Sequence, residues 1–258
     1  MKTTIKTLGA LFLVLAVTVT SCKKSDDAAP DDSTPTPTPT QPAAPAPVTS
    51  TPSDANGVCV ASKINVTTAI PSTTFVVTVT LGSATSSFYS TAGSTTLDDA
   101  GTVTSNDSAL VKQSNNAYIF TAKSATGINY TSSSKWNISG AGSIPAVSYT
   151  ANGFPSAPTV PSVSSISKGA AYTLNTSPVS SADSLCYQIT AGSKSIYKIV
   201  AASQTSYTFP ATEMATLDAT DYGYVTITAY KFNNTTVSSK KIYFINLNTS
   251  NQSVKVTN

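Results

Sequence analysis

The chain has no histidine and no arginine, and Glu213 is its one glutamate. All fifteen basic residues are therefore lysines, set against twelve acids. Each absence excludes a class of chemistry. Without an imidazole, neither a Ser-His-Asp nor a Cys-His arrangement can be assembled. Zinc centres of the usual kinds lack ligands, because Cys22, Cys59 and Cys186 are the only cysteines. Phosphate and nucleic-acid recognition lean on arginine forks and basic stripes, and the chain has neither. It also has no glycine-rich phosphate loop or dinucleotide fingerprint. Glycoside hydrolysis needs only two carboxylates, but the aspartates here are scattered or sit in turns. Asp98, Asp99 and Asp107 offer oxygens that Ca²⁺ accepts. Their spacing matches no calcium loop, and aspartates in turns usually bond their own backbone. The expectation is a non-enzymatic chain with no cofactor, no metal and no nucleic-acid partner.

What is present starts at the N-terminus. Lys2 and Lys6 precede an apolar run, Leu8 to Val19, broken only by Gly9 and Thr18. Such a run is too short to span a bilayer core, which takes ~20 apolar residues, so residues 1–21 read as a cleaved signal peptide. Val19-Thr20-Ser21 before Cys22 is similar to a lipobox, and Cys22 is the expected lipid attachment site. A diacylglycerol thioether plus an N-acyl chain gives more than the two lipid signals that suffice for stable anchoring. Without Lys2 and Lys6, the mature chain is close to neutral.

Residues 22–56 form the expected tether. Ser33-Thr34-Pro35-Thr36-Pro37-Thr38-Pro39-Thr40-Gln41-Pro42 and the Ala-Pro continuation favour extended polyproline II and cannot bury a core. At ~3.1 Å per residue such a stalk reaches roughly 100 Å.

After residue 56 the chain is rich in Thr, Ser, Val, Tyr and Ile, which are strand formers. The proline-rich stretch Asn152 to Pro161 divides it, giving a β-sandwich over 57–155 and an immunoglobulin-like β-sandwich over 156–258. Thr74 to Leu81 alternates, with Phe75, Val77, Val79 and Leu81 on one face read as half-buried. Ala117–Thr121 and Lys135–Ser139 repeat the pattern. In the second part, Ala171–Leu174, Leu185–Ile189, Ile196–Val200, Ser206–Phe209, Tyr222–Tyr230 and Lys241–Ile245 read as strands. A helical turn is expected at Ala211–Leu217. Leu217 followed by Asp221-Tyr222-Gly223-Tyr224 is similar to the tyrosine corner of immunoglobulin-like sandwiches. The fold class expected is all-β: two consecutive antiparallel sandwiches behind a disordered tether.

The opening Cys22-Lys23-Lys24-Ser25-Asp26-Asp27 resembles those of Bacteroidetes lipoproteins. Trp136-Asn137-Ile138-Ser139-Gly140 running toward Phe154-Pro155, and Lys240-Lys241-Ile242-Tyr243-Phe244, extend the likeness to uncharacterised lipoproteins of that group with a tether and an all-β body. The resemblance implies anchoring at the outer membrane, facing the cell exterior, with a periplasm-facing anchor as the alternative. It also implies O-glycosylation at Asp-Ser/Thr-apolar triplets, for which the candidates are Ser33, Ser108 and Ser184.

Three further expectations follow. Cys59 and Cys186 pair in an oxidising compartment, with each other or with another molecule, or lie buried and unpaired in separate halves. Trp136 belongs to a core, sharing a face with Ile138. Tyr130, Tyr149 and Phe154 lie near loops and are candidates for an exposed aromatic platform. The function expected is binding or adhesion, toward a glycan or a surface protein, with a structural spacer in an outer-membrane, polysaccharide-handling assembly as the alternative.

Overall fold

Alternating β-branched and small polar residues set the local structure, and almost every such run becomes a strand. The computed structural model describes residues 51–69 and 76–258, so the signal, Cys22, Ser33 and the tether up to residue 50 lie outside the described residues. The earlier part of the chain forms β1 (Gly57–Ala69), β2 (Val76–Phe88), β3 (Val103–Ser105), β4 (Ser108–Ala109), β5 (Val111–Lys112), β6 (Tyr118–Ile119), β7 (Ser133–Ile138) and β8 (Val147–Asn152). The later part forms β9 (Ser165–Ser167), β10 (Tyr172–Asn175), β11 (Ser184–Ala191), β12 (Lys194–Ala201), β13 (Ser206–Phe209), β14 (Thr220–Val237) and β15 (Lys240–Thr257). Among the described residues the one helix is the single turn α1 (Ala211–Met214), and the fold is all-β.

One nine-stranded sheet organises the molecule, in the order β12-β11-β14-β15-β1-β2-β6-β5, with β9 beside the end of β15. β14 and β15 are 18 residues each, which at ~3.4 Å per residue makes a hairpin roughly 60 Å long. Ser238 and Ser239, both at positive φ (48° and 63°), form its two-residue turn. That geometry matches the twist of the flanking strands. The sheet crosses the 155/156 division: β15 pairs in parallel with β1, setting Gly57 opposite Ile242 and Phe244 opposite Cys59.

Two smaller layers cover one face of this sheet. The four-stranded sheet β4-β3-β7-β8 closes the first core, where Trp136, Ile138 and Val103 meet Phe88, Ile242 and Phe244. The β10–β13 ribbon and α1 close the second, where Leu174, Phe209 and Met214 meet Leu185, Ile227 and Val254. Both cores thus draw residues from the same hairpin.

The proline-rich segment is tied down between the two cores. Asn246 Nδ2 donates to the Ala151 carbonyl (2.9 Å), and Asn248 Nδ2 to that of Pro155 (3.0 Å). Asn65 donates to Asn248 Oδ1 at 2.6 Å, and Ser134 Oγ to Asn246 Oδ1 at 2.6 Å. Trp136 Nε1 in turn donates to Ser134 Oγ (3.0 Å). A side-chain amide can satisfy both a donor and an acceptor, which is what a buried irregular backbone requires.

One expectation is reversed. Val77 and Val79 of β2 stand 45% and 42% exposed, and the buried side of that strand instead carries Ala84, Ser86 and Phe88. Further along, the strand needs its small residues inward: a side chain on Gly82 would strike the Ile128 carbonyl, 1.7 Å from the added carbon. The tyrosine-corner motif falls at a bulge between Thr220 and Gly223, where Tyr222 stands exposed.

Candidate interaction face

The face of the large sheet opposite the two covering layers is built from strand register alone. Pairing across six strands aligns Tyr197, Gln188, Thr226, Asn251, Val66 and Val79 in one row. The next row is Ile199, Cys186, Thr228, Thr249, Ile64 and Leu81. A third cluster, Val58, Cys186, Tyr230, Ile245 and Leu247, packs on this face. Apart from Ala55, every member of it belongs to the sheet itself.

The middle of the face is polar and uncharged. Thr226 Oγ1 donates to Asn251 Oδ1 (2.9 Å), and the Thr228 and Thr249 hydroxyls share a 3.0 Å bond. Gln188 Nε2 donates to Ser195 Oγ at 2.9 Å. The Asn251 amide nitrogen is buried and has no partner among the described residues. Charges stand only at the ends of the strip, as the pairs Lys255–Asp221 (2.6 Å) and Lys241–Asp54 (2.7 Å). The margins are apolar and open: Tyr197 (45%) and Ile199 (38%) on one side, Val66 (36%), Val77 and Val79 on the other. Thr226, Thr228 and Thr249 are buried, so the accessible part of this face is its margins.

The expected aromatic platform is not assembled. Tyr130 and Phe154 are buried in the first core, tilted against each other at 5.1 Å between ring centres. The Tyr130 hydroxyl bonds Ser105 Oγ (2.8 Å), and burial pushes its pKa up. Lys63 Nζ lies 4.5 Å over the Phe154 ring. Tyr149 stacks on Phe244 at 4.4 Å. None of the three forms an open stacking surface. Trp136 is fully buried with Ile138, as the alternation implies.

Cys59 and Cys186 are free, buried thiols on opposite faces of the sheet. Cys186 lines up with Ile64 rather than Cys59, three strands away. Strand spacing and rise put them about 22 Å apart, against the ~7 Å that a disulfide allows. Burial raises both thiol pKa values, that of Cys186 up to about 12, so neither is a ready nucleophile.

The aspartates are structural. Asp98 accepts from the Ser90 N–H (2.6 Å), and Asp107 faces Lys135 at 3.7 Å. Asp99 takes Lys112 Nζ (2.8 Å), the Tyr118 hydroxyl (2.7 Å) and the Gly101 N–H (2.8 Å). These bonds, Lys112 foremost, hold its carboxyl well below the usual range. Among the described residues no three acidic, histidine or cysteine side chains gather as a metal site. Of the glycosylation candidates, Ser108 follows the tight Asn106–Asp107 turn and is half-buried. The Ser184 hydroxyl is buried within the sheet and has no partner among the described residues.

No protein-family model and no curated protein matches the chain. Elsewhere on the surface, a shallow depression of about 310 Å³ lies on the four-stranded sheet, lined by Thr102, Thr104, Asn137, Ser139 and Ser148. It contains no titratable or aromatic side chain. This face was not legible in sequence because β1, one of its six strands, reaches it only through a parallel pairing with β15, although Val58, Val60, Ile64 and Val66 alternate in plain sight.

Proposed function

We propose that the chain is a non-enzymatic binding or adhesion module, lipidated at Cys22 and displayed from an outer membrane of Bacteroidetes type. In this reading its body is a pair of immunoglobulin-like sandwiches fused through β14 and β15. The observation that carries the reading is the placement of exposed apolar side chains. Tyr197, Ile199, Val66, Val77 and Val79 are each more than a third exposed, and all five stand on one face of one sheet. Scattered exposed hydrophobics need no explanation, but grouping on a single face marks a surface that meets a partner. That partner is a neutral glycan or another surface protein, because the exposed margins are aliphatic and tyrosine side chains without charge.

The test uses residues 22–258 with Cys22→Ser, screened against neutral and charged glycans and against surface proteins crosslinked to it on intact cells. Val79→Glu and Tyr197→Glu should each weaken retention of any partner recovered by about tenfold or more. Retention unchanged in both variants would refute the assignment of this face.

A spacer role within an outer-membrane assembly is the second reading, favoured by the hairpin that runs through both cores and stiffens the body. It predicts one dominant crosslinked neighbour whose capture survives both substitutions.

A further inference from the structure

Among the described residues, β12 is the longest strand with one side open along its whole length. It ends the nine-stranded sheet and pairs only with β11. β4 and β5, which also end sheets, are two residues each, and edges so short make poor templates. β12 has eight residues, no proline and an unbroken register with β11 from Lys194 to Ala201. All of it except Ile196 and Val200 is exposed.

The hairpin turn fixes which backbone groups are open. Gly192 (φ 59°) and Ser193 form a two-residue turn, so Ala191 and Lys194 exchange both backbone hydrogen bonds and the pairing alternates from there. Lys194, Ile196, Lys198 and Val200 therefore bond β11. Ser195, Tyr197 and Ile199 aim their N–H and C=O groups outward, and no described residue takes them up. The Ala201 carbonyl accepts from the Gln204 N–H (2.9 Å), which closes the ladder at that end.

We propose that this edge takes β12 of a second copy, laid antiparallel about a two-fold axis at Tyr197. Charge selects that register. With the axis at Tyr197, Lys198 lies opposite Ile196 and Lys194 opposite Val200, so each ammonium group meets an aliphatic side chain. Moving the axis one residue either way sets Lys194 opposite Lys198, or Lys198 opposite itself. Like charges directly opposite destabilise a strand pair. Moving it further shortens the ladder. At Tyr197 the outward N–H groups of each copy reach the outward carbonyls of the other, and the two Tyr197 rings make a cross-strand pair on the interaction face. The contact is isologous and joins the two large sheets into one. A single pair of edges belongs to the weak, transient class of interface.

Residues 22–258 with Cys22→Ser are followed by sedimentation from about 10 to about 500 µM, where contacts of that class form. The mean mass should climb toward twice that of the monomer. Tyr197→Pro removes an outward N–H without touching the β11 ladder, so it should weaken association about tenfold or more while the melting curve stays near the parent's. Val79→Glu, on the far margin, should leave association unchanged, which separates this contact from the binding role of the face. Oxidation then reads the register. Paired Tyr197 positions have Cα atoms about 5.5 Å apart, within disulfide reach, whereas two Lys194 positions are about 20 Å apart. Tyr197→Cys should give a covalent dimer, and Lys194→Cys none beyond the parent. A monomer at every concentration overturns the proposal and leaves the edge to a strand of another protein. So does a dimer that survives Tyr197→Pro, one lost equally in Val79→Glu, or crosslinking no greater in Tyr197→Cys than in Lys194→Cys. If Tyr197→Pro unfolds the chain, the two cysteine variants decide alone.

Discussion

Replacing Asn246 by leucine tests how the two cores are joined. The side chain is fully buried, accepting from Ser134 Oγ at 2.6 Å and donating to the Ala151 carbonyl at 2.9 Å. Leucine fills similar space but leaves one hydroxyl proton and one carbonyl without partners inside the protein. Each such group costs about 1–3 kcal/mol, so Asn246→Leu should destabilise by about 2–6 kcal/mol. With a urea slope of ~2 kcal/mol/M, the unfolding midpoint falls by roughly 1–3 M. Trp136 is the natural reporter: it is the only tryptophan, it is fully buried, and it donates to the same Ser134 hydroxyl. Its emission in the folded variant should also shift as the network loosens. Asn234→Leu, at an exposed position of the same hairpin, serves as control and should stay within ~0.5 kcal/mol. A midpoint shift for Asn246→Leu no larger than that of the control would refute the argument that this amide secures the 151–155 segment.

Two further outcomes follow from the geometry. The depressed Asp99 carboxyl contributes stability that is complete above the unfolded aspartate value of ~3.9 and is lost as pH falls toward its folded value. Asp99→Asn should therefore lower the Tm at pH 7, with the gap to the parent closing below pH ~4 in melts taken from pH 7 to 2; a gap independent of pH counts against the Lys112 and Tyr118 bonds as its source. Gly82→Ala should cost about 3 kcal/mol, because the added methyl meets the Ile128 carbonyl and the Gly82–Gly127 bridge must open. Equal denaturation midpoints would show that the loop yields freely.

Much of the second half was legible as sequence. The alternation at 185–189, 196–200 and 222–230 became β11, β12 and β14, and the turn at Ala211 became α1. These runs read well because one face is apolar and the pairing is between near neighbours. Legibility failed where both faces of a strand are used. In β15, Ile245 and Leu247 pack on one face while Asn246 and Asn248 are buried on the other, against the backbone of the linker. Alternation alone assigns such asparagines to solvent. It failed again at β2, whose exposed valines look like a core face until a partner layer is known. The candidate site was least legible of all, since its rows exist only once β1 has found β15, and no local pattern specifies a parallel pairing of the first strand with the last.

That pairing has a consequence for the order of events in folding. Ile242 and Phe244 are core residues of the earlier half, and β1 has its inner neighbour only in β15. Contacts so distant along the chain are slow to form. As the polypeptide is made, residues 57–152 can pair β1 with β2 and β7 with β8, but they must wait with one flank open. A chain cut short before Lys240 never closes that flank and exposes a strand edge ready to pair with a neighbour. The half made first is the half finished last.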